Sequence, residues 1–170
     1  MVDVVDLVGH REASVRDLFA AYPSGVAAFG ATIDGADVIM LASSFTVGVS
    51  HEPPLCSVAI QKTSRTWPVL ARASRIGVSV LSDAHADSVK LLGSRDPGNR
   101  FRAVGLSRST NDSLVVEGSA AWFECRVVRE VDAGDHVVVL LEVLAGSRAE
   151  SASPLVIHRG ACHRVAAIAS

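Results

Sequence analysis

Two β-prone runs, residues 120–131 and 136–144, stand on either side of Asp132-Ala133-Gly134-Asp135, and this pairing most constrains the fold. Runs of this kind around a short Gly-containing turn read as a hairpin, which makes its two strands antiparallel neighbours. The same rule reads residues 26–33 and 38–42 as a hairpin around Asp34-Gly35. Apolar runs at 55–60, 76–81 and 155–157 read as further strands, the last before a basic tail over 158–164. Helical signals are shorter. Ser14 precedes Val15, Leu18, Phe19 and Tyr22, the spacing of a capped amphipathic helix that Pro23 and Gly25 stop. Residues 63–66 open a second helix through Leu70 and Ala73, and Asp83 caps a third running to about Leu92. Residues 93–113, rich in Gly, Ser, Arg, Asn and Pro, read as a long surface loop. Strands arrive as hairpins and do not alternate with helices. The expected class is therefore mostly β, an antiparallel sheet or barrel and not a Rossmann fold.

The length of 170 residues suits one domain over 1–170, with 1–12 read as a flexible N-terminal arm. Aromatics make up only 5%, so Val, Ala and Leu must build the core. A net charge of −2 with no basic block argues against nucleic acid, which needs a concentrated cationic face. Cys56, Cys125 and Cys162 are odd in number and widely spaced, so a reducing cytoplasm is expected and no disulfide framework. Cys162 reads as a buried small residue. The acidic start lacks the pattern of a signal peptide, and no run approaches the roughly 20 apolar residues of a membrane span. No metal site is expected: H-E-x-x-H is absent, and His158 and His163 lie five apart. There is also no G-x-S-x-G elbow, no P-loop, and no G-x-G-x-x-G after a strand.

Three stretches carry possible chemistry, each beside a plainer reading. In Leu41-Ala42-Ser43-Ser44-Phe45 and on to Ser50, small residues and hydroxyls after an apolar strand would let a flat ligand approach the backbone. Composition alone favours a polar strand end with solvated serines. Gln61-Lys62-Thr63-Ser64-Arg65-Thr66 offers cations, hydroxyls and helix-start N–H groups, the needs of a phosphate, or else an ordinary exposed cap. Gly134-Asp135-His136 opens a strand, where Asp135 could fix the imidazole, although a turn histidine is more often a plain surface residue.

Other segments share the order of these three. They include Tyr22-Pro23-Ser24-Gly25-Val26, Ser50-x-x-Pro53-Pro54, Asn99-Arg100-Phe101, Leu114-Val115-Val116-Glu117-Gly118, Glu124-Cys125 and 155–160. Together, over about residues 15–165, they resemble the flavin reductase family with the FMN-binding split-barrel fold. These are the small reductase partners of two-component flavin monooxygenases. The resemblance implies a six-stranded antiparallel split β-barrel (Greek key) with a few short helices, forming a homodimer with flavin near the subunit interface. It implies NAD(P)H-dependent reduction of FMN or FAD by NADH or NADPH, supplying reduced flavin to a flavin-dependent monooxygenase component. By position, Leu41, Ala42, Ser43, Ser44 and Phe45, with Ser50, would serve the flavin ring and ribityl chain. Gln61, Lys62, Ser64, Arg65 and Thr66 would hold the phosphate, and Phe101 with Arg100 would close over the flavin or the adenine portion. His136, in the turn with Gly134 and Asp135, would contact the nicotinamide, assisted by Arg159 and His163. Leu41 replaces a usual Thr, and Cys162 stands where an aromatic is frequent. The alternative is a split-barrel protein that stores or senses flavin without turnover, which would need no Gly-Asp-His contact. A pyridoxamine-phosphate-oxidase-like enzyme is a second rival, but its dense Arg/Lys phosphate pattern is missing.

Overall fold

The structure, a computed structural model, describes residues 12–168. Helix α1 (Glu12–Phe19) leads through β1 (Ser24–Gly25) into the first hairpin, β2 (Ala27–Ile33) and β3 (Ala36–Ala42). Its turn places Asp34 at φ 51° and Gly35 at φ 78°, a left-handed pair whose twist matches that of the flanking strands. Next come β4 (Thr46–His51), β5 (Pro54–Gln61), α2 (Trp67–Leu70) and β6 (Ile76–Val80). A 3-10 turn (Asp83–Ser88), α3 (Val89–Leu92) and α4 (Pro97–Arg102) follow, then β7 (Leu106–Arg108) and β8 (Leu114–Val116). The long hairpin β9 (Ala121–Ala133) and β10 (His136–Arg148) precedes a short one, β11 (Leu155–His158) and β12 (Ala161–Arg164).

The class is mostly β with a few short helices, as expected, but the six-stranded barrel is not what forms. The main sheet has seven strands in the order β3-β2-β6-β9-β10-β5-β4, with every pairing antiparallel, and no ladder joins its edge strands β3 and β4. Separate small sheets hold β1-β11-β12 and β7-β8. The seventh strand is β4, absent from the strands expected above; Gly48, at φ 75°, lies where its pairing with β5 is interrupted. The expected loop over 93–113 contains α4 and β7. Asp96 caps α4 by accepting from the Gly98 N–H (3.0 Å), with Pro97 in the first turn where a missing N–H costs nothing. Helix α1 starts at Glu12, so Ser14 lies inside it, and the expected N-terminal arm otherwise falls outside the described residues. The basic tail is β12, folded back on β11 around Arg159 and Gly160, both at positive φ. Cys162 is exposed on that strand and not buried, like the other residues of β12. Among the described residues, no helix is long and apolar enough to cross a membrane.

Strand β2 explains the core. Ala27, Phe29 and Ala31 face one apolar cluster with Val58, Leu70, Val78, Val139 and Leu141, while Val26 and Ala28 face a second with Ile39, Leu81, Leu92 and Leu155. A strand buried on both faces shows a continuous apolar run and no alternation. Gly30 and Gly77 lie opposite each other on β2 and β6 and leave a slot for Leu114 of β8. A Cβ on Gly77 would stand 2.1 Å from the Leu114 carbonyl oxygen. The turn at 82–88 is fixed by the buried His85. The Ser82 N–H donates to its Nδ1 (3.1 Å), which leaves Nε2–H to donate to the Glu117 carbonyl (2.9 Å).

Glu124 is a buried carboxylate that ties the β7-β8 loop to the main sheet. Its oxygens accept from Ser109 Oγ (2.8 Å), Ser113 Oγ (2.9 Å) and Asn111 Nδ2 (2.9 Å), with Arg75 Nε at 3.8 Å. Burial pushes its pKa up, but the three hydrogen bonds and the Arg75 charge outweigh this and hold it below the usual value of 4.5. A depressed carboxylate contributes stability that is complete above its unfolded pKa and is lost as pH falls through the folded one. Glu124→Gln should therefore cost about 1–2 kcal/mol at neutral pH, with the gap to wild type closing in acid. Thermal unfolding across a pH series checks this; a gap that widens in acid would refute the assignment.

Candidate active site

Four chain segments converge on one open groove of about 940 Å³. The first is the end of β3. Its ladder with β2 finishes at the pair Ala27–Ala42, so Ser43 and Ser44 run free of that ladder. The Ser44 hydroxyl donates to the Ala59 carbonyl (2.8 Å) and accepts the Ala59 N–H (3.2 Å), pinning the chain across the middle of β5. Leu41, Ala42 and Ser43 thereby present backbone and small side chains along the groove. Phe45 turns its ring the other way, edge-on to Phe29 at 5.7 Å and tilted against Phe123 at 6.2 Å. It borders a separate small apolar hollow of about 170 Å³.

The second segment is the loop after β5. The Ser64 N–H donates to the Gln61 carbonyl (2.9 Å), and the Ser64 hydroxyl accepts the Trp67 N–H (3.1 Å), so the loop is tightly wound. Beneath it Trp67 is buried and donates Nε1–H to Glu130 on β9 (2.9 Å). Gln61, Thr63, Ser64, Arg65 and Thr66 all line the groove. Lys62 does not. Its ammonium pairs with Asp132 at 2.9 Å and its N–H donates to the Asp135 carbonyl (3.0 Å), clasping the loop to the β9-β10 turn.

That turn is the third segment. Gly134 takes φ 62° in a two-residue connection, and β10 begins at His136, opposite Gln61. His136 Nδ1 lies 2.8 Å from the Asp135 carboxylate. This hydrogen bond, opposed by burial and aided by the imidazole charge, holds Asp135 below the usual carboxylate range. With Nδ1–H donated, His136 lines the groove with Nε2 uncommitted.

The fourth segment is residues 94–100, of which sequence reasoning used only Asn99 and Arg100, with Phe101 beyond them. Arg95, Pro97 and Arg100 line the groove; Phe101 packs into the second apolar cluster. Arg100 donates Nε–H to the Ser94 carbonyl (2.6 Å) and Nη1–H to the Ile39 carbonyl (2.9 Å) and Thr66 Oγ1 (3.1 Å), tying this segment, strand and loop together. Burial first, then the like charge of Arg65, lowers its pKa, against Asp96. Arg95 gave no signal in the sequence beyond its charge. Ser50 pairs with Leu55 in the β4-β5 hairpin, and Arg159 and His163 belong to the β11-β12 hairpin; none of these lines the groove of the single chain. Gly134 and Asp135 act at the turn, not on the groove wall.

The lining is thus three arginines, four Ser and Thr hydroxyls besides Ser44, and no carboxylate, beside a strand end of small residues. This donor set fits an anionic, flat-ringed nucleotide. Residues 19–166 match the family described as flavin reductase like domain. The chain belongs to that family. It is 34% identical to a flavin reductase of Pseudomonas putida, over 90% of this chain and 89% of the relative. It is 35% identical to the stachydrine N-demethylase reductase subunit Stc3 of Rhizobium meliloti (strain 1021), over 78% of this chain, but spans only 57% of that protein. Its fold superposes with TM-score 0.89 on the NADH:FAD oxidoreductase SgcE6 of Streptomyces globisporus C-1027, determined with NAD and FAD fragments. That likeness has 24% identity and covers 99% of this chain and all of the other. The expected membership is borne out, and with it a catalytic flavin reductase in preference to a storage protein.

Proposed function

We propose that this flavin reductase binds FMN or FAD in the groove, reduces it with NADH or NADPH, and supplies reduced flavin to a monooxygenase component. The observation that carries this reading is the carboxylate-free lining, which gathers hydroxyls, arginines and His136 beside a strand end of small residues. The flavin, when bound, supplies the hydride-accepting chemistry. The chain's own residues bind and align. The backbone of 41–44 meets the edge of the ring, Arg65 with Thr63, Ser64 and Thr66 neutralises the phosphate, and Arg100 holds Thr66 in place. Asp135 fixes the His136 tautomer, leaving Nε2 to meet the nicotinamide and hold it at near-attack distance.

The working form is proposed to be a cytoplasmic homodimer. Phe19, Tyr22 and Val47 are 67%, 77% and 58% exposed in the single chain, apolar surface that a second copy would cover. Pairing would also bring a partner's β11-β12 hairpin within reach of a site, where Arg159 and His163 would assist.

Mixing the protein with each nicotinamide and each flavin, and following nicotinamide absorbance, tests the reaction. Absence of oxidation in every combination would sink it. His136→Ala is expected to raise KM for the nicotinamide about tenfold, or about 1.4 kcal/mol, while flavin affinity changes less than about twofold. Equal loss of both would remove His136 from the nicotinamide end.

A further inference from the structure

The groove holds more positive charge than one phosphate needs. Arg65 and Arg95 both line it, and among the described residues neither makes a hydrogen bond or ion pair. They stand on different chain segments, Arg65 in the loop after β5 and Arg95 in the turn before α4. The nearest carboxylate in sequence to Arg95 is Asp96, and it is occupied with capping α4. Arg100, the third cation, is committed to Ser94, Ile39 and Thr66. The like charge of Arg65 already presses on it. Two uncommitted guanidinium groups facing one space call for two anionic groups, since each favours its own charge-assisted, paired contact.

A terminal monophosphate on the 63–66 loop would satisfy Arg65 and its neighbouring hydroxyls. Arg95, on a separate segment, is then left for a second anionic group. A diphosphate supplies a second phosphoryl group one bridging oxygen away. The space agrees: about 940 Å³ lies toward the upper end of the roughly 300–1,000 Å³ range of ligand sites.

We propose that the groove selects FAD over FMN, with Arg95 as the specificity-determining residue that takes the second phosphoryl group of the FAD diphosphate. This rests on the flavin reading above. The contact is made in the binary complex with flavin, before any nicotinamide arrives.

Flavin-fluorescence titrations of the full chain with riboflavin, FMN and FAD, without nicotinamide, test it. Wild type is expected to bind FAD at least about tenfold more tightly than FMN. Arg95→Gln should weaken FAD about tenfold and FMN less than about twofold, removing the preference. Arg95 is exposed and no group depends on it, so the variant should keep the wild-type melting temperature. Equal affinity of wild type for FMN and FAD would overturn the proposal. So would equal weakening of both flavins by Arg95→Gln, or unchanged flavin affinities with a raised KM for the nicotinamide, which would assign Arg95 to the other dinucleotide. If none of the three flavins binds wild type, the flavin reading fails first, a result distinct from loss of discrimination.

Discussion

Replacing Gly77 with alanine should destabilise the protein by about 3–4 kcal/mol, lowering the melting temperature by roughly 10 °C. The added Cβ would meet the Leu114 carbonyl oxygen at 2.1 Å and its carbonyl carbon at 2.7 Å, both backbone atoms. No side-chain rotation relieves such a contact. Strand β6 cannot retreat, because it is paired on one side with β2 and on the other with β9. Nor is β8 free to lift, since the Val116 N–H donates to the buried Ser79 Oγ (2.8 Å). Two other glycines calibrate the effect. Gly134→Ala meets open space but must hold φ 62°, costing about 1 kcal/mol. Gly25→Ala has neither obstacle and should fall within about 0.5 kcal/mol of wild type. Differential scanning calorimetry ranks the three, and a Gly77→Ala protein melting close to wild type would disprove the slot.

The largest functional effect is expected at Arg65. On the reading above its guanidinium meets the flavin phosphate directly, a charge-assisted pair worth about 1.5–3 kcal/mol. Arg65→Ala should weaken binding of either flavin nucleotide about 100-fold, or about 2.7 kcal/mol. Riboflavin, which lacks the phosphate, should bind the variant and wild type alike. Arg65→Lys should recover only part of the loss, because an ammonium cannot pair through two parallel N–H groups. Stability should hardly change, as Arg65 is exposed and makes no hydrogen bond or ion pair among the described residues. If riboflavin weakens as much as FMN and FAD, Arg65 does not serve the phosphate.

Much of this architecture was legible because hairpins announce themselves locally. Asp34-Gly35 and Gly134 occupy left-handed positions that few other residues tolerate, and apolar runs flank them. The hydroxyl-rich 63–66 loop was likewise visible, since it follows a strand and precedes a short helix. What escaped depended on contacts distant in sequence. Strand β4 exists because β5 accepts it, although Gly48 interrupts the pattern. Helix α4 carried a readable sign in Asp96-Pro97, outweighed by the Gly and Ser around it. Its six residues are too few for periodicity to tell Arg100, facing the groove, from Phe101, facing the core. Lys62 looked like Arg65 in sequence. Only the register of β5 against β10 turns one cation to Asp132 and leaves the other over the groove.

The Lys62 clasp has a mechanical consequence. Its N–H bond to Asp135 and its ion pair with Asp132 join the 63–66 loop to the turn that carries His136, while Trp67 anchors the same loop to β9 through Glu130. The loop and the turn therefore belong to a single stiff frame whose span is set by backbone pairing. Such a frame works as a gauge. On the proposed flavin reading, it holds the phosphate loop and His136 at one separation, so a guest of another length would lose one of the two contacts.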